Sequence, residues 1–366
     1  MTVTTPTRTR RWRIVSCTGI LAIALSMSCA GPAARAADII TLNGAGATFP
    51  YPLYSRWFAK YNQMHPEIQI NYQSIGSGGG IAQVQKGTVD FGASDAPLSD
   101  DQLKAMGRPI ILIPTVAGSI AMTYNLAGVG TGLRLTPENI VDVYLGKITQ
   151  WNDAQLRANN PSLNLPDLPI TVVHRADGSG TTFLFTTFLS LVGPAWADKV
   201  GNGTAVEWPV GIGGKGNEGV AGAVKQTPGA LGYVELAYVV QNHLTFAVVK
   251  NRDGQWVAPS LSSTTAAAAG GAAQIAKTND VRVSIAYSAG ATAYPIAGFT
   301  YLLVPQEQVD EVKGKVLVDF LWWAIHAGEG DAPLLLYAPL PPAVVAIDER
   351  LIKGITFQGK ALLTGQ

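Results

Sequence analysis

Three times along this chain a strand-like run ends in a turn of glycine and hydroxyl residues and passes straight into a helix. The fullest copy is His174 to Phe183, HRADGSGTTF. Ile170-Thr171-Val172-Val173 delivers Arg175, and Asp177 follows. Gly178-Ser179-Gly180-Thr181-Thr182 comes next, and then Leu184, Phe188, Leu191 and Val192 recur at helical spacing. In the first copy, Ile39-Ile40-Thr41-Leu42 runs through Asn43-Gly44-Ala45-Gly46-Ala47-Thr48-Phe49-Pro50 into a helix carrying Tyr54, Trp57, Phe58 and Tyr61. In the second, Ile68, Ile70 and Tyr72 alternate with polar residues before Ser74-Ile75-Gly76-Ser77-Gly78-Gly79-Gly80 opens a short helix with Ile81 and Val84. A further strand, Val89 to Asp95, ends on a carboxylate.

The first turn of a helix has unpaired N–H groups and a partial positive charge, so it attracts anions. Small residues let an anion reach the backbone, hydroxyls add donors, and the Arg175 guanidinium offers a planar fork for a tetrahedral oxyanion. Taken alone, HRADGSGTTF reads as a capped helix after a glycine turn, with Arg175 and Asp177 as a surface ion pair. Its repetition points instead to several turns converging, because open α/β sheets bind ligands at the carboxyl ends of their strands. The G-x-G-x-x-G pattern is not met cleanly, and the lysine-bearing phosphate loop is absent.

The chain has 366 residues, 47% of them hydrophobic and only 14% charged, with no long block of like charge. That suits one or two well-packed α/β domains and gives no footprint for nucleic acid. Residues 1–36 read as a cleavable leader. Arg8, Arg10, Arg11 and Arg13 precede a short apolar stretch, Val15 to Met27, and Ala34-Arg35-Ala36 fits a small-x-small cleavage site. The apolar stretch is short for a membrane span. Cys29 as a lipid-attachment residue is disfavoured, since Ser26-Met27-Ser28 matches the usual leucine-led pattern poorly, and Arg10-Arg11 is a weak twin-arginine signal. Both cysteines, Cys17 and Cys29, lie in the leader, so the mature chain would have neither a thiol nor a disulfide. Loss of the leader removes basic residues and no acid, leaving the mature chain net acidic.

Ile110 to Leu126 is apolar and too long for one ordinary strand, and it reads as a strand passing from one domain to another. Thr136-Pro137 caps a helix to Gly146. Gly213 to Gly219 is a fourth glycine turn opening a helix; its Lys215 reads as an exposed loop lysine rather than an anion contact. The Ser/Thr/Ala/Gly-rich stretch from Ser262 to Ala273 reads as a surface helix or loose loop. Phe299 to Val304 would carry the chain back to the first domain, giving a hinge of two strands. Val309 to Ala327 is a long helix with Val312, Val316, Phe320 and Trp323 inward, and Pro341-Pro342 starts a last helix.

Gly44-Ala45-Gly46-Ala47-Thr48-Phe49-Pro50, Gly76-Ser77-Gly78-Gly79, Val89 to Ser99, and Arg175-Ala176-Asp177-Gly178-Ser179-Gly180-Thr181 together closely resemble the periplasmic phosphate-binding protein of the ABC phosphate transporter, the PstS family. Trp208 to Gly211, Gly213 to Asn217 and Gly229 to Glu235 resemble it too. The resemblance implies an α/β, type II periplasmic-binding-protein fold, with two α/β lobes joined by a two-strand hinge and the ligand in the cleft. Lobe I would be 37–118 with 298–366, and lobe II 119–297. The site residues it implies are Thr48, Phe49, Ser77, Asp95, Arg175, Ser179, Gly180 and Thr181, with Asp177 holding Arg175. His174 stands where some relatives carry a second arginine. The resemblance further implies inorganic phosphate as ligand, an ABC permease of the inner membrane as partner, a periplasmic monomer, and no cofactor, metal or catalytic residue.

A secreted phosphatase or other hydrolase would need an activated nucleophile or a metal. No G-x-S-x-G occurs, and His65, His174, His243 and His326 show no ligand spacing. A sensor or adhesion protein on the same fold would differ only in lacking an adjacent permease.

Overall fold

The structure, a computed structural model, describes residues 1–3 and 39–363. The leader reading and both cysteines therefore lie outside the described residues. The chain opens with β1 (Ile40–Gly46), α1 (Tyr51–Met64), β2 (Ile68–Ser74), α2 (Ser77–Lys86), β3 (Phe91–Ser94) and α3 (Asp100–Ala105). The long β4 (Ile110–Tyr124) follows, then β5 (Arg134–Leu135), α4 (Pro137–Tyr144), α5 (Ala154–Asn159), β6 (Thr171–Arg175), α6 (Gly180–Val192) and α7 (Pro194–Lys199). Next come β7 (Ile212–Gly214), α8 (Gly216–Gln226), β8 (Ala230–Glu235), α9 (Leu236–Asn242), and the short β9 (Thr245–Phe246), β10 (Val248–Lys250) and β11 (Trp256–Val257). The chain closes with α10 (Leu261–Thr278), β12 (Ala297–Pro305), α11 (Glu311–Ile325), α12 (Pro342–Lys353) and the antiparallel pair β13 (Thr356–Phe357) and β14 (Lys360–Ala361).

The principal sheet runs β2-β1-β3-β12-β4-β8-β6-β7, with β9 also on β4. It consists of two parallel wings, β2-β1-β3 and β8-β6-β7, joined by β12 and β4. β12 runs antiparallel to both β3 and β4, and β4 runs antiparallel to β8. The wings therefore point in opposite directions along the sheet. β4 is long because it serves both: Ile110 to Ser119 pairs with β12, and Ile120 to Tyr124 pairs with β8.

This register fixes where ligand-binding turns must lie. The last residue of β3, Ser94, pairs with Tyr301, which in turn pairs with Pro114. The last residue of β8, Glu235, pairs with Ile120. The carboxyl ends of both wings thus face each other across the middle of β4. The β4–β12 register slips between Thr300 and Tyr301, opposite Pro114 and Thr115, where proline offers no N–H to the ladder.

Helices cover the sheet through the faces their periodicity dictates. Tyr54, Trp57, Phe58 and Tyr61 are buried, and Trp57 Nε1 donates to Gly328 O at 2.8 Å. Thr136 caps α4 reciprocally with Asn139. In α11, Val316 and Phe320 are buried but Val312 is 55% exposed, correcting its inward reading; Leu191 at the end of α6 is likewise exposed. The stretch from Ser262 to Ala273 is no loose loop. It lies within the 18-residue α10, capped by Ser260, and buries Thr264, Ala267, Ala268 and Gly271. Its small residues allow close packing: a Cβ on Gly271 would stand 2.4 Å from Ile285 Cγ2.

Candidate functional site

Each wing delivers its polar residues at the seam. From the β2-β1-β3 wing come Thr48 and Phe49 between β1 and α1, Ser77 as the first residue of α2, and Asp95 just after β3. From the β8-β6-β7 wing come Arg175 as the last residue of β6, Ser179 as N-cap of α6, and Gly180 and Thr181 in its first turn. All are buried, although most are polar or charged. Burial of such groups is tolerated only where they are bonded or where a ligand satisfies them.

The structure brings these residues together. Ser77 Oγ accepts from Asp95 N at 3.2 Å and from Gly180 N at 2.9 Å, joining two elements of one wing to the first turn of α6 in the other. Gly78 N donates to Gly178 O at 2.9 Å. Glycine is required at this approach: a Cβ on Gly180 would stand 2.5 Å from both Asp95 Oδ2 and Ser77 Oγ. Phe49 is held through its carbonyl, which accepts from Tyr337 Oη at 2.6 Å. Ser179 Oγ accepts from Thr182 N and its own N–H donates to Thr204 O, so its amide is taken and its hydroxyl proton remains for a ligand.

The charges are arranged asymmetrically. Arg175 Nε and Nη2 donate to Asp177 at 2.8 and 2.5 Å, while its Nη1 is buried without a partner. The Arg175 side chain is 1% exposed, so the pair is a buried one, not the surface ion pair that the segment alone suggests. Burial raises the Asp177 carboxyl, but the hydrogen bond and charge of Arg175 and the amide of Gly216 outweigh it and hold the group below its ordinary range. Asp95 is the converse. Its Oδ1 accepts from Thr300 Oγ1 at 2.7 Å, and its Oδ2 is buried without a partner. Burial pushes its carboxyl up to about 7, against the opposing pull of the Thr300 bond, the Arg175 charge and Thr181. The site thus presents one unpaired acceptor and one unpaired cationic donor, ringed by hydroxyls and helix N-termini.

His174 takes no part. Its ring stacks on Trp208 at 4.8 Å, its Nδ1 lies 3.1 Å from Arg175 O, and burial lowers its basicity. Lys215 is exposed, as read. Sequence reasoning missed Asn217 and Thr300. Asn217, buried in the first turn of α8, bonds Thr48 and Thr181, and Thr300 orients Asp95. The fourth glycine turn was the signal for Asn217; Thr300 carries only the weak signal of a hydroxyl inside an apolar strand. Among the described residues no cluster of three or more His, Cys, Asp or Glu stands where it could hold a metal, and no helix is long and apolar enough to cross a membrane.

The fold and the converging seam define the class of two-winged α/β binding proteins, and the PBP superfamily domain matches residues 31–325. The chain belongs to the PstS phosphate-binding protein family. It is 45% identical over 315 residues to the phosphate-binding protein PstS of Xylella fastidiosa, covering 86% of this chain and 85% of that protein. It is 42% identical over 306 residues to PstS of Pasteurella multocida, covering 83% of this chain and 88% of that one. Among solved structures, a high-affinity periplasmic phosphate-binding protein (PfluDING) bound with phosphate shares the fold at a TM-score of 0.67 and 23% identity, covering 84% of this chain and 92% of that chain. These relatives are named as binding proteins, not as enzymes.

Proposed function

We propose that this chain captures inorganic phosphate at the seam and delivers it to an ABC importer. The observation that carries the reading is the pair of buried, unpartnered atoms, Asp95 Oδ2 and Arg175 Nη1. Phosphate near neutral pH keeps a P–OH proton as well as charged oxygens. Its proton would satisfy Asp95 Oδ2, and its oxygens would take Arg175 Nη1, the hydroxyls of Thr48, Ser77, Ser179 and Thr181, and the amides at Phe49 and Thr181, with the Gly180 amide held on Ser77 Oγ. Fixed neutral donors plus one guanidinium hold an anion without a high net positive charge. Above the Asp95 pKa of about 7, where the carboxyl is ionised, sulfate has no proton to offer and would leave a buried acceptor unpaired, at a cost on the order of a few kcal/mol.

The same reading divides the chain into lobe I, 37–118 with 298–366, and lobe II, 119–297, closing about β4 and β12. Residues 1–36 act as an export signal, the mature protein works as a periplasmic monomer, and a membrane permease receives the ion. Replacing Asp95→Asn tests the role of the carboxylate. The amide can donate as well as accept, so the preference for phosphate over sulfate should fall by about tenfold or more in calorimetric titration. An unchanged preference refutes Asp95 as the selectivity residue. A phosphate ester in the same series separates binding from hydrolysis.

A further inference from the structure

Asn217 uses its entire amide. Its Oδ1 accepts from Glu235 N at 2.9 Å, a backbone donor that only an oxygen can receive, which fixes the Nδ2 end. That Nδ2 donates to Thr48 Oγ1 at 2.7 Å and to Thr181 Oγ1 at 3.1 Å. Asn217 N donates to the same Thr48 oxygen at 3.1 Å. Thr48 Oγ1 therefore already receives two protons and must send its own elsewhere. Thr181 Oγ1 receives one and keeps a second acceptor site. Thr48 belongs to the β2-β1-β3 wing, while Asn217 and Thr181 belong to the other. Tyr238 Oη adds a second bond across the seam, to Thr48 O at 2.6 Å.

We infer that Asn217 is a positioning residue that sets the hydrogen-bond polarity of the phosphate site, forcing the Thr48 hydroxyl to act as a donor toward the bound anion. The inference rests on the proposed phosphate function. It gives the site a specificity device apart from Asp95: Asp95 demands one proton from the ligand, and Asn217 ensures that the Thr48 hydroxyl offers a proton only. Because Asn217 reaches Thr48 across the seam, this donor set is complete only when the two wings are in contact.

The test is a double-mutant cycle on phosphate affinity, measured by titration calorimetry on the purified protein. Asn217→Leu keeps the side-chain volume and removes the amide. It should weaken phosphate by about tenfold or more, as should Thr48→Val in the otherwise unaltered protein. In the Asn217→Leu background, Thr48→Val should cost less than about twofold, because the hydroxyl there is no longer committed to donation. A purely structural role would instead lower the melting temperature of the ligand-free protein and leave the two losses additive. If Asn217→Leu does not fold, Asn217→Asp keeps the Glu235 N bond but can only accept from the two hydroxyls. It should weaken phosphate by about a hundredfold. Additive losses in the cycle, or Asn217→Asp within about twofold of the parent, overturn the inference. A parent protein that gives no phosphate signal overturns the functional reading, and this inference with it.

Discussion

Asp95 and Arg175 are buried side chains that the fold satisfies only in part, each by a neighbour that takes some of its bonding capacity. Thr300 occupies Asp95 Oδ1 and leaves Oδ2 free, and Asp177 occupies two guanidinium nitrogens and leaves Nη1 free. Thr300 has a second consequence, since its bond favours the charged carboxylate. Thr300→Val should raise the Asp95 pKa further, so the pH dependence of phosphate affinity, measured from about pH 6 to pH 9, should shift upward relative to the parent. An unshifted profile would show that the Thr300 bond does not tune Asp95. The raised pKa also has a sign for stability. An acid that titrates near 3.8 unfolded and near 7 folded holds an extra proton in the folded state between those values. Ligand-free stability should therefore fall as pH climbs from about 4 to about 7 and level off above, by a total on the order of a few kcal/mol from this group. Other buried acids, Glu235 and Asp348 among them, are also raised by burial and act with the same sign. Comparison with Asp95→Asn isolates the Asp95 share: that variant should show a shallower fall in melting temperature, and an identical slope would contradict the assignment.

At the scale of elements, the site is a set of helix starts brought nearly into contact. Gly180→Ala makes that dependence measurable. Its Cβ would meet Asp95 Oδ2 and Ser77 Oγ at 2.5 Å, so phosphate affinity should drop by about tenfold or more while far-ultraviolet circular dichroism stays unchanged. Parent-like affinity would mean that the two wings do not need this approach. Much of this was legible in the sequence, because a helix start announces itself locally: Gly178-Ser179-Gly180-Thr181 carries its chemistry within four consecutive residues. Thr300 was not legible, because its role exists only through Asp95, 205 positions away, and Asn217 was marked only by the fourth glycine turn, because its bond to Thr48 spans 169 positions. The α10 stretch was legible as a helix only as one of two alternatives, for a related reason. Alanine and glycine give little amphipathic signal, yet their small size is what lets the helix lie close to Ile285 and β4, where Thr264 meets Ser119 at 2.6 Å. Val312 and Leu191 sit at or near helix ends, where apolar spacing continues past the buried face.

Across the whole molecule, one strand organises the rest. β4 is the shared edge of two oppositely directed wings, so its middle is where their carboxyl ends must meet. An ion held there touches both wings at once, which couples binding to their contact and should stabilise the protein by mass action. The most direct test of this account is a calorimetric titration of the purified protein with phosphate and, separately, with sulfate at about pH 8.5, above the Asp95 pKa of about 7. The account predicts one phosphate bound per chain and sulfate weaker by about a hundredfold or more, the discrimination expected when a buried acid goes unpaired. Absence of phosphate binding, or sulfate bound as tightly as phosphate, would contradict it.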